Sequence, residues 1–328
     1  MNKNYNPKHG EIKDIRIKQV LTKDYKELND EFKTKPIDIN EIKKTESPNN
    51  KKTKRKLKKK VQKVLWTLLL TFFIVLLIIS VLKLLVWTKD NKETSKIIEN
   101  IQNDIIIEET KDDDNTEIVN GEEVNKDSDY WNYIKYPLID VDIKELKKKN
   151  SDTIGWINVN NTNVNYPYVQ TSDNNYYLAH SFDKSYNEAG WVFMDYRNDS
   201  NLNNKNTILY AHSRLDKTMF GSLSKTLKSS WYTNTDNHII RISTEEENSS
   251  WQIFSVYKIP EETYYVTTAF TSDEKYQEFL NTISERSVHN FNTTLTTNDK
   301  ILTLSTCYSE TERTVIHAKL IKKSTKTQ

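Results

Sequence analysis

The chain holds one cysteine, Cys307, and six histidines. Cys307 follows the run Ile-Leu-Thr-Leu-Ser-Thr, which reads as a β-strand, and Arg313 stands just before a second strand-like run over residues 314–321. If the two runs pair as a hairpin, Cys307 and Arg313 meet at its connecting loop. His212 ends another strand-like run, 95 residues before the cysteine. A thiol is a nucleophile only as thiolate. An imidazole can take or share its proton, and a guanidinium can stabilise anionic charge on the thiolate or on a substrate oxygen. These three residues could therefore supply a nucleophile, a proton partner and a stabiliser of anionic charge.

Residue type alone leaves alternatives open. A lone cysteine is more often a small buried hydrophobe than a nucleophile. His180, His238, His289 and His317 lie in the same stretch as His212, and Arg197, Arg214, Arg241 and Arg286 compete with Arg313. Spacing does not choose among them. The single cysteine does exclude an internal disulfide. No His/Cys/Asp/Glu set stands at metal-ligand spacing, and five glycines in the whole chain leave no Gly-rich phosphate loop. Neither a metal nor a cofactor is expected.

The elements that must position these residues begin near Tyr130, where aromatic residues become dense and short β-type runs alternate with Asn, Asp and Ser clusters. Candidate strands cover residues 155–159, 163–169, 191–195, 207–212, 238–243, 251–259, 300–307 and 314–321. That density within under 200 residues is typical of an all-β domain. A helix over residues 142–149 presents Ile143 and Leu146 on one face. A second opens at a capping box from Thr271 to Glu274 and carries Tyr276, Phe279, Leu280 and Ile283 at core-facing spacing. The expected architecture is mostly β, an antiparallel barrel with inserted helices.

The charge is distributed in blocks. Residues 1–63 hold 20 Lys/Arg against 9 Asp/Glu, whereas residues 89–328 hold 27 against 37. Between them, residues 64–82 contain no charge, and residues 84–87 continue the apolar stretch beyond Lys83. At about 1.5 Å per residue, such a helix spans the roughly 30 Å hydrocarbon core of a bilayer. Trp66 and Trp87 sit near its ends, where indole rings favour the headgroup region. A plain soluble enzyme is thereby disfavoured. The sequence predicts a disordered basic tail over residues 1–63 in the cytoplasm, a transmembrane helix over 64–87, an extracellular acidic tether over 88–129 and a domain over 130–328. The orientation follows from the lysines and arginine of residues 51–63, which precede the span. Their position against the span favours anionic lipid as partner over nucleic acid. Ile97, Ile98, Ile101 and Ile105 fit one face of a short helix within the tether.

The run TLSTC ending at Cys307, with an arginine before the next strand, resembles the active-site strand of sortases, membrane-anchored cysteine transpeptidases of Gram-positive bacteria. The resemblance covers most of residues 138–322. It includes LKKKNSDTIGWINVNNTNVNYPYVQTSDNNYYL (146–178), GWVFMDYRN (190–198) and ILYAHSRLDKTMFGSL (208–223), and is to class B in particular. The helix over 274–285 matches the long helix that class B enzymes carry ahead of the active-site strand. The family commonly has Gly before its histidine and often Asn after it, where this chain has Ala211 and Ser213. The step of six residues from Cys307 to Arg313 is short for the family.

The resemblance implies an eight-stranded sortase-type β-barrel with inserted and N-terminal helices. Cys307 would attack the carbonyl after a Thr in the C-terminal sorting motif of a surface protein. His212 would act as general acid and Arg313 as oxyanion and backbone support, with Ser305 and Thr306 contacting the motif. An amine from a peptidoglycan precursor or cross-bridge would resolve the thioester, attaching the protein to the cell wall. A pilus-related sortase is the near alternative. It is disfavoured because no Asp-Pro lid motif occurs and the sequence ends in the polar KKSTKTQ. A non-catalytic, membrane-anchored binding ectodomain is the alternative of a different class, since fold alone does not establish activity.

Overall fold

The computed structural model describes residues 59–119, 129–260, 262–309 and 312–326. All but the last five residues of the expected basic tail, and residues 120–128 of the expected tether, lie outside the described residues. The elements run α1 (Lys59–Asp104), β1 (Ile107–Thr110), β2 (Thr116–Ile118), α2 (Asp129–Ile134), β3 (Leu138–Val141), α3 (Ile143–Lys149), β4 (Thr153–Val159), β5 (Asn165–Val169), β6 (Phe193–Met194), β7 (Asn206–Ala211), α4 (Ser229–Tyr232), β8 (Ile239–Thr244), β9 (Glu247–Pro260), α5 (Asp273–Glu285), β10 (Ile301–Ser309) and β11 (Glu312–Thr325).

Eight strands close into a barrel in the order β10-β7-β6-β5-β4-β8-β9-β11, with β11 pairing back onto β10. All eight expected strands are present, although the run at 191–195 contributes only the two residues of β6. Most neighbours are antiparallel, whereas β10 pairs with β7 in parallel. Leu302 and Leu304 of β10 join the main core with Trp156, Trp251, Ile253 and Ile316. Ile301 instead packs with Phe254 against Tyr276, Phe279, Leu280 and Ile283 of α5. The expected stripe of α5 is thus buried, packed against Ile301 and Phe254. The cap of α5 is Ser272, whose side chain accepts from the Lys275 backbone N–H, so the helix begins one residue later than a Thr271 cap would place it.

Residues 88–119 differ from a featureless tether. α1 continues without a break to Asp104, so the short helix expected around Ile97–Ile105 is the end of the same helix. No glycine or proline interrupts residues 59–104, and nothing local stops helix propagation. Asp90, Thr94, Ile101 and Ile105 are buried, with Ile97 and Ile98 packed alongside. Residues 64–87 of α1 are apolar and solvent-exposed on every side, long enough to cross a bilayer. After the helix, β1 pairs antiparallel with β3, and β2 pairs with Lys322–Ser324 of β11 past the point where β10 ends.

Lys322 explains how this segment is held. Its side chain is fully buried, and its three N–H donors are taken by Asp112 Oδ1 (2.8 Å), Ile134 O (2.7 Å) and Tyr136 O (2.6 Å). A buried ammonium is tolerated only with such complete pairing. Lys322→Met should leave two carbonyls without a donor and release the Asp112 segment, lowering stability by roughly 2–4 kcal/mol. Urea unfolding followed by tryptophan fluorescence measures this, and an unchanged midpoint would show that Lys322 is not the anchor.

Candidate active site

β10 lies between β7 and β11, so its two edges gather the residues singled out above. On the β7 edge the parallel register aligns Ser305 with Tyr210 and Thr306 with Ala211. His212 and Cys307 are the residues that follow this last aligned pair. On the other edge the antiparallel register makes Cys307 and Arg313 Cα partners, as the hairpin reading required. The ladder is irregular between Cys307 and Ser309, the kind of local bulge that re-aims residues beside active sites. Ser305, Thr306, His212 and Arg313 line one cavity of about 190 Å³, together with Tyr210 and Tyr265.

His212 lies just past the end of β7, and its Nε2 is 2.8 Å from the carbonyl oxygen of Leu178. A carbonyl only accepts, so Nε2 carries a proton and Nδ1 is the nitrogen left for proton exchange. Its backbone carbonyl accepts from Phe220 N–H at 3.1 Å, closing the turn that follows. Gly190 permits the approach of the 177–178 segment. It has φ +60°, and a Cβ there would lie 2.6 Å from Tyr177 O and 3.0 Å from His212 Cδ2. Only glycine satisfies both the backbone conformation and the space.

The four histidines that compete with His212 among the described residues are engaged elsewhere. His317 is fully buried, and burial pushes its pKa down to about 3. Its Nε2 accepts from the Tyr257 hydroxyl and its Nδ1 donates to Thr303 Oγ1, each at 2.8 Å, and Thr303 donates onward to Asn206 Oδ1 at 2.6 Å. His238 is buried between the Tyr133 hydroxyl and Tyr232 O, and burial lowers its pKa. His289 and His180 stack on Tyr232 and Tyr176. The competing arginines are also engaged. Arg197 forks onto Asp195, Arg214 meets Asn91 and Asp216, Arg241 meets Glu109 and Asn158, and Arg286 meets Glu262. None of these competitors lines the cavity that His212 and Arg313 share.

Several residues of the site were not singled out in the sequence. The Tyr265 hydroxyl is 2.9 Å from Ser305 Oγ. Its segment is pinned by the Asn206 amide, which donates to Tyr265 O (3.2 Å) and Thr267 O (2.9 Å). Nothing in the sequence around Tyr265 points to this, because the contact is made across the barrel. Tyr210 had a usable signal, since it precedes His212 by two and shares its strand face. Its hydroxyl donates to Asp195 Oδ2 at 2.9 Å, beside Asn174 Nδ2 at 3.1 Å. Burial first, then the Asp195 carboxylate, raises the Tyr210 pKa, keeping it a donor.

Asp195 has a fully buried side chain. Burial alone pushes its carboxyl up, but hydrogen bonds from the Arg197 side chain and backbone and from Tyr210 more than reverse this, holding it below the usual carboxylate range. A carboxyl depressed on folding contributes stability above its unfolded pKa of about 3.9 and loses it as pH falls through the folded value. Asp195→Asn should cost about 1–3 kcal/mol near neutral pH. That gap should narrow as pH drops below about 4. Denaturant midpoints of both proteins from pH 7 to 3 check this, and a constant gap would contradict it.

The sortase domain family matches residues 157–321. Sortase B of Staphylococcus aureus (strain NCTC 8325 / PS 47) is 40% identical over 185 residues, which are 55% of this chain and 75% of that protein. Sortase B of Listeria monocytogenes serovar 1/2a (strain ATCC BAA-679 / EGD-e) is 34% identical over 190 residues, 56% of this chain and 75% of that protein. A solved Staphylococcus aureus sortase B-substrate complex is similar with a TM-score of 0.52 and 40% identity, over 55% of this chain and 84% of that one. Fold and sequence agree, and the chain belongs to the sortase family, on its sortase B branch, as a cysteine transpeptidase.

Proposed function

We propose that Cys307, His212 and Arg313 divide the transpeptidation between them. The observation that carries this is the register of β10, which makes Cys307 the Cα partner of Arg313 and places Thr306 beside Ala211, the residue before His212. The Cys307 thiolate attacks the carbonyl carbon after Thr in a C-terminal sorting motif. Arg313 stabilises the oxyanion in the tetrahedral intermediate and holds the substrate backbone. As the C–N bond breaks, His212 protonates the leaving amine through Nδ1, with its Nε2–H fixed on Leu178 O. A cell-wall amine then attacks the thioester and gives its proton to His212, and the thiolate departs.

Ser305 and Thr306 line the cavity and contact the motif, with Ser305 oriented by the Tyr265 hydroxyl. The substrates are surface proteins carrying the motif, and the acceptor is an amine of a peptidoglycan precursor or cross-bridge. Residues 64–87 cross the membrane with residues 1–63 in the cytoplasm, supported by the basic run at 51–63 and the apolar, all-round exposed helix. Residues 88–129 then lead outside to a catalytic domain over 130–328.

Cys307→Ala should abolish cleavage of Thr-containing motif peptides with the fold intact, which would exclude a binding-only ectodomain. Arg313→Ala should lower kcat by about 10²–10³-fold. An added amine should divert the wild-type product from acid to amide, and an undiverted acid would mean a hydrolase. Gly190→Ala should strain the backbone by about 1–3 kcal/mol, displace the imidazole and reduce kcat more than it raises KM. Steady-state kinetics on the four proteins check these outcomes.

A further inference from the structure

α1 connects the apolar span to the site more directly than a tether would. From Trp87 to Asp104 it is unbroken helix. Asp90 and Thr94, at the start of its buried stripe, are held by the Asn187 side chain, which donates to Asp90 O (3.4 Å) and Thr94 Oγ1 (3.2 Å). Arg214 donates from Nη2 to Asn91 Oδ1 in the same turn of helix. Trp87 precedes Asp90 by three residues, about 5 Å along a helix axis. Two surface turns, residues 183–187 and 213–217, are therefore fixed within one helical turn of the end of the apolar stretch.

What those turns expose suits an interface. Leu215 is 84% exposed, the most exposed large apolar side chain among the described residues, and Tyr186 is 68% exposed. A solitary exposed leucine on a protein surface ordinarily signifies nothing. Beside the end of a membrane span the same side chain reaches the acyl boundary, and a tyrosine ring suits the headgroup layer. Lys89, Lys92 and Lys217 are exposed in the same region. Of the nearby carboxylates, Asp183 accepts from Ser185 N–H and Asp216 from Thr218 N–H, each at 3.0 Å, Glu93 pairs with Lys89 at 3.6 Å, and Glu188 is exposed.

We propose that the turns at 183–187 and 213–217 rest on the headgroup layer of the bilayer that α1 crosses, anchored by Leu215 and Tyr186. This holds the His212 end of the catalytic site at the membrane surface, since His212 lies two residues before Arg214 and Gly190 three after Asn187. The proposal rests on residues 64–87 crossing the membrane and does not depend on which side the barrel faces.

The test uses the full chain bearing Cys307→Ala, reconstituted in vesicles of phosphatidylcholine and phosphatidylglycerol. Leu215→Cys, Ile106→Cys and Leu76→Cys are introduced singly and labelled with a polarity-sensitive fluorophore. Nitroxide lipids then quench from the headgroup or from the acyl chain. Ile106 follows the far end of α1, roughly 25 Å or more from Trp87 along the helix, and serves as the water-exposed reference. The label at 215 should be quenched by the headgroup nitroxide at least threefold more than that at 106, while the label at 76 is quenched from the acyl chain. Equal, weak quenching at 215 and 106 with deep quenching at 76 would overturn the surface contact and leave the span intact. A label at 76 that no lipid nitroxide reaches would overturn both.

Discussion

The site depends on β10 being paired along both edges. Its parallel pairing with β7 aligns Thr306 with Ala211, and its antiparallel pairing with β11 brings Arg313 opposite Cys307. The same two ladders close the barrel, so no edge of β10 is left for an outside strand. A strand so enclosed is buried on both faces. Leu302 and Leu304 serve one face, Ile301 serves the other, and α5 covers the latter. The ladders that set the register of the cavity residues are thus the same ones that close the barrel.

Around that strand, polar side chains buried in the barrel wall act as struts. One chain of donors runs from Tyr264 through Tyr257, His317 and Thr303 to Asn206, whose amide then fixes the carbonyls of Tyr265 and Thr267. Another cluster joins Arg197, Tyr210 and Asn174 on the Asp195 carboxylate. Buried polar groups are costly unless satisfied, and when satisfied they admit few alternative arrangements. Both networks end on residues that line the cavity, Tyr265 in one case and Tyr210 with Asn174 in the other. Rigid, fully paired neighbours are what a site needs when its nucleophile must meet a carbonyl at a fixed distance.

Much of this was legible in the sequence, because alternation and turn residues mark strands wherever they occur. The hairpin of Cys307 and Arg313 and the stripe of α5 are local patterns and were read correctly. The parallel partnership of β7 and β10 was not legible, since a period of two says nothing about strand direction or partner. Nor could spacing select His212 over His317: one lies at a cavity and the other in the core, and burial is a tertiary property. The strands at 107–110 and 116–118 were hidden because acidic, half-exposed segments look like linker until a partner strand is present. Likewise Ser272 and Thr271 are equivalent caps by type, and only the backbone conformation decides between them.

Chain order adds a dimension of time. β10 and β11 come after every other strand of the barrel, and β7 must wait through about ninety residues of synthesis before its partner exists. Contacts so distant in sequence form late, because loop closure must precede them. Until β11 has emerged, the barrel has an open seam and Cys307 lacks its Arg313 partner. A chain still being made therefore lacks the doubly paired β10 on which the cavity is built. The cavity is completed in the same step that closes the barrel.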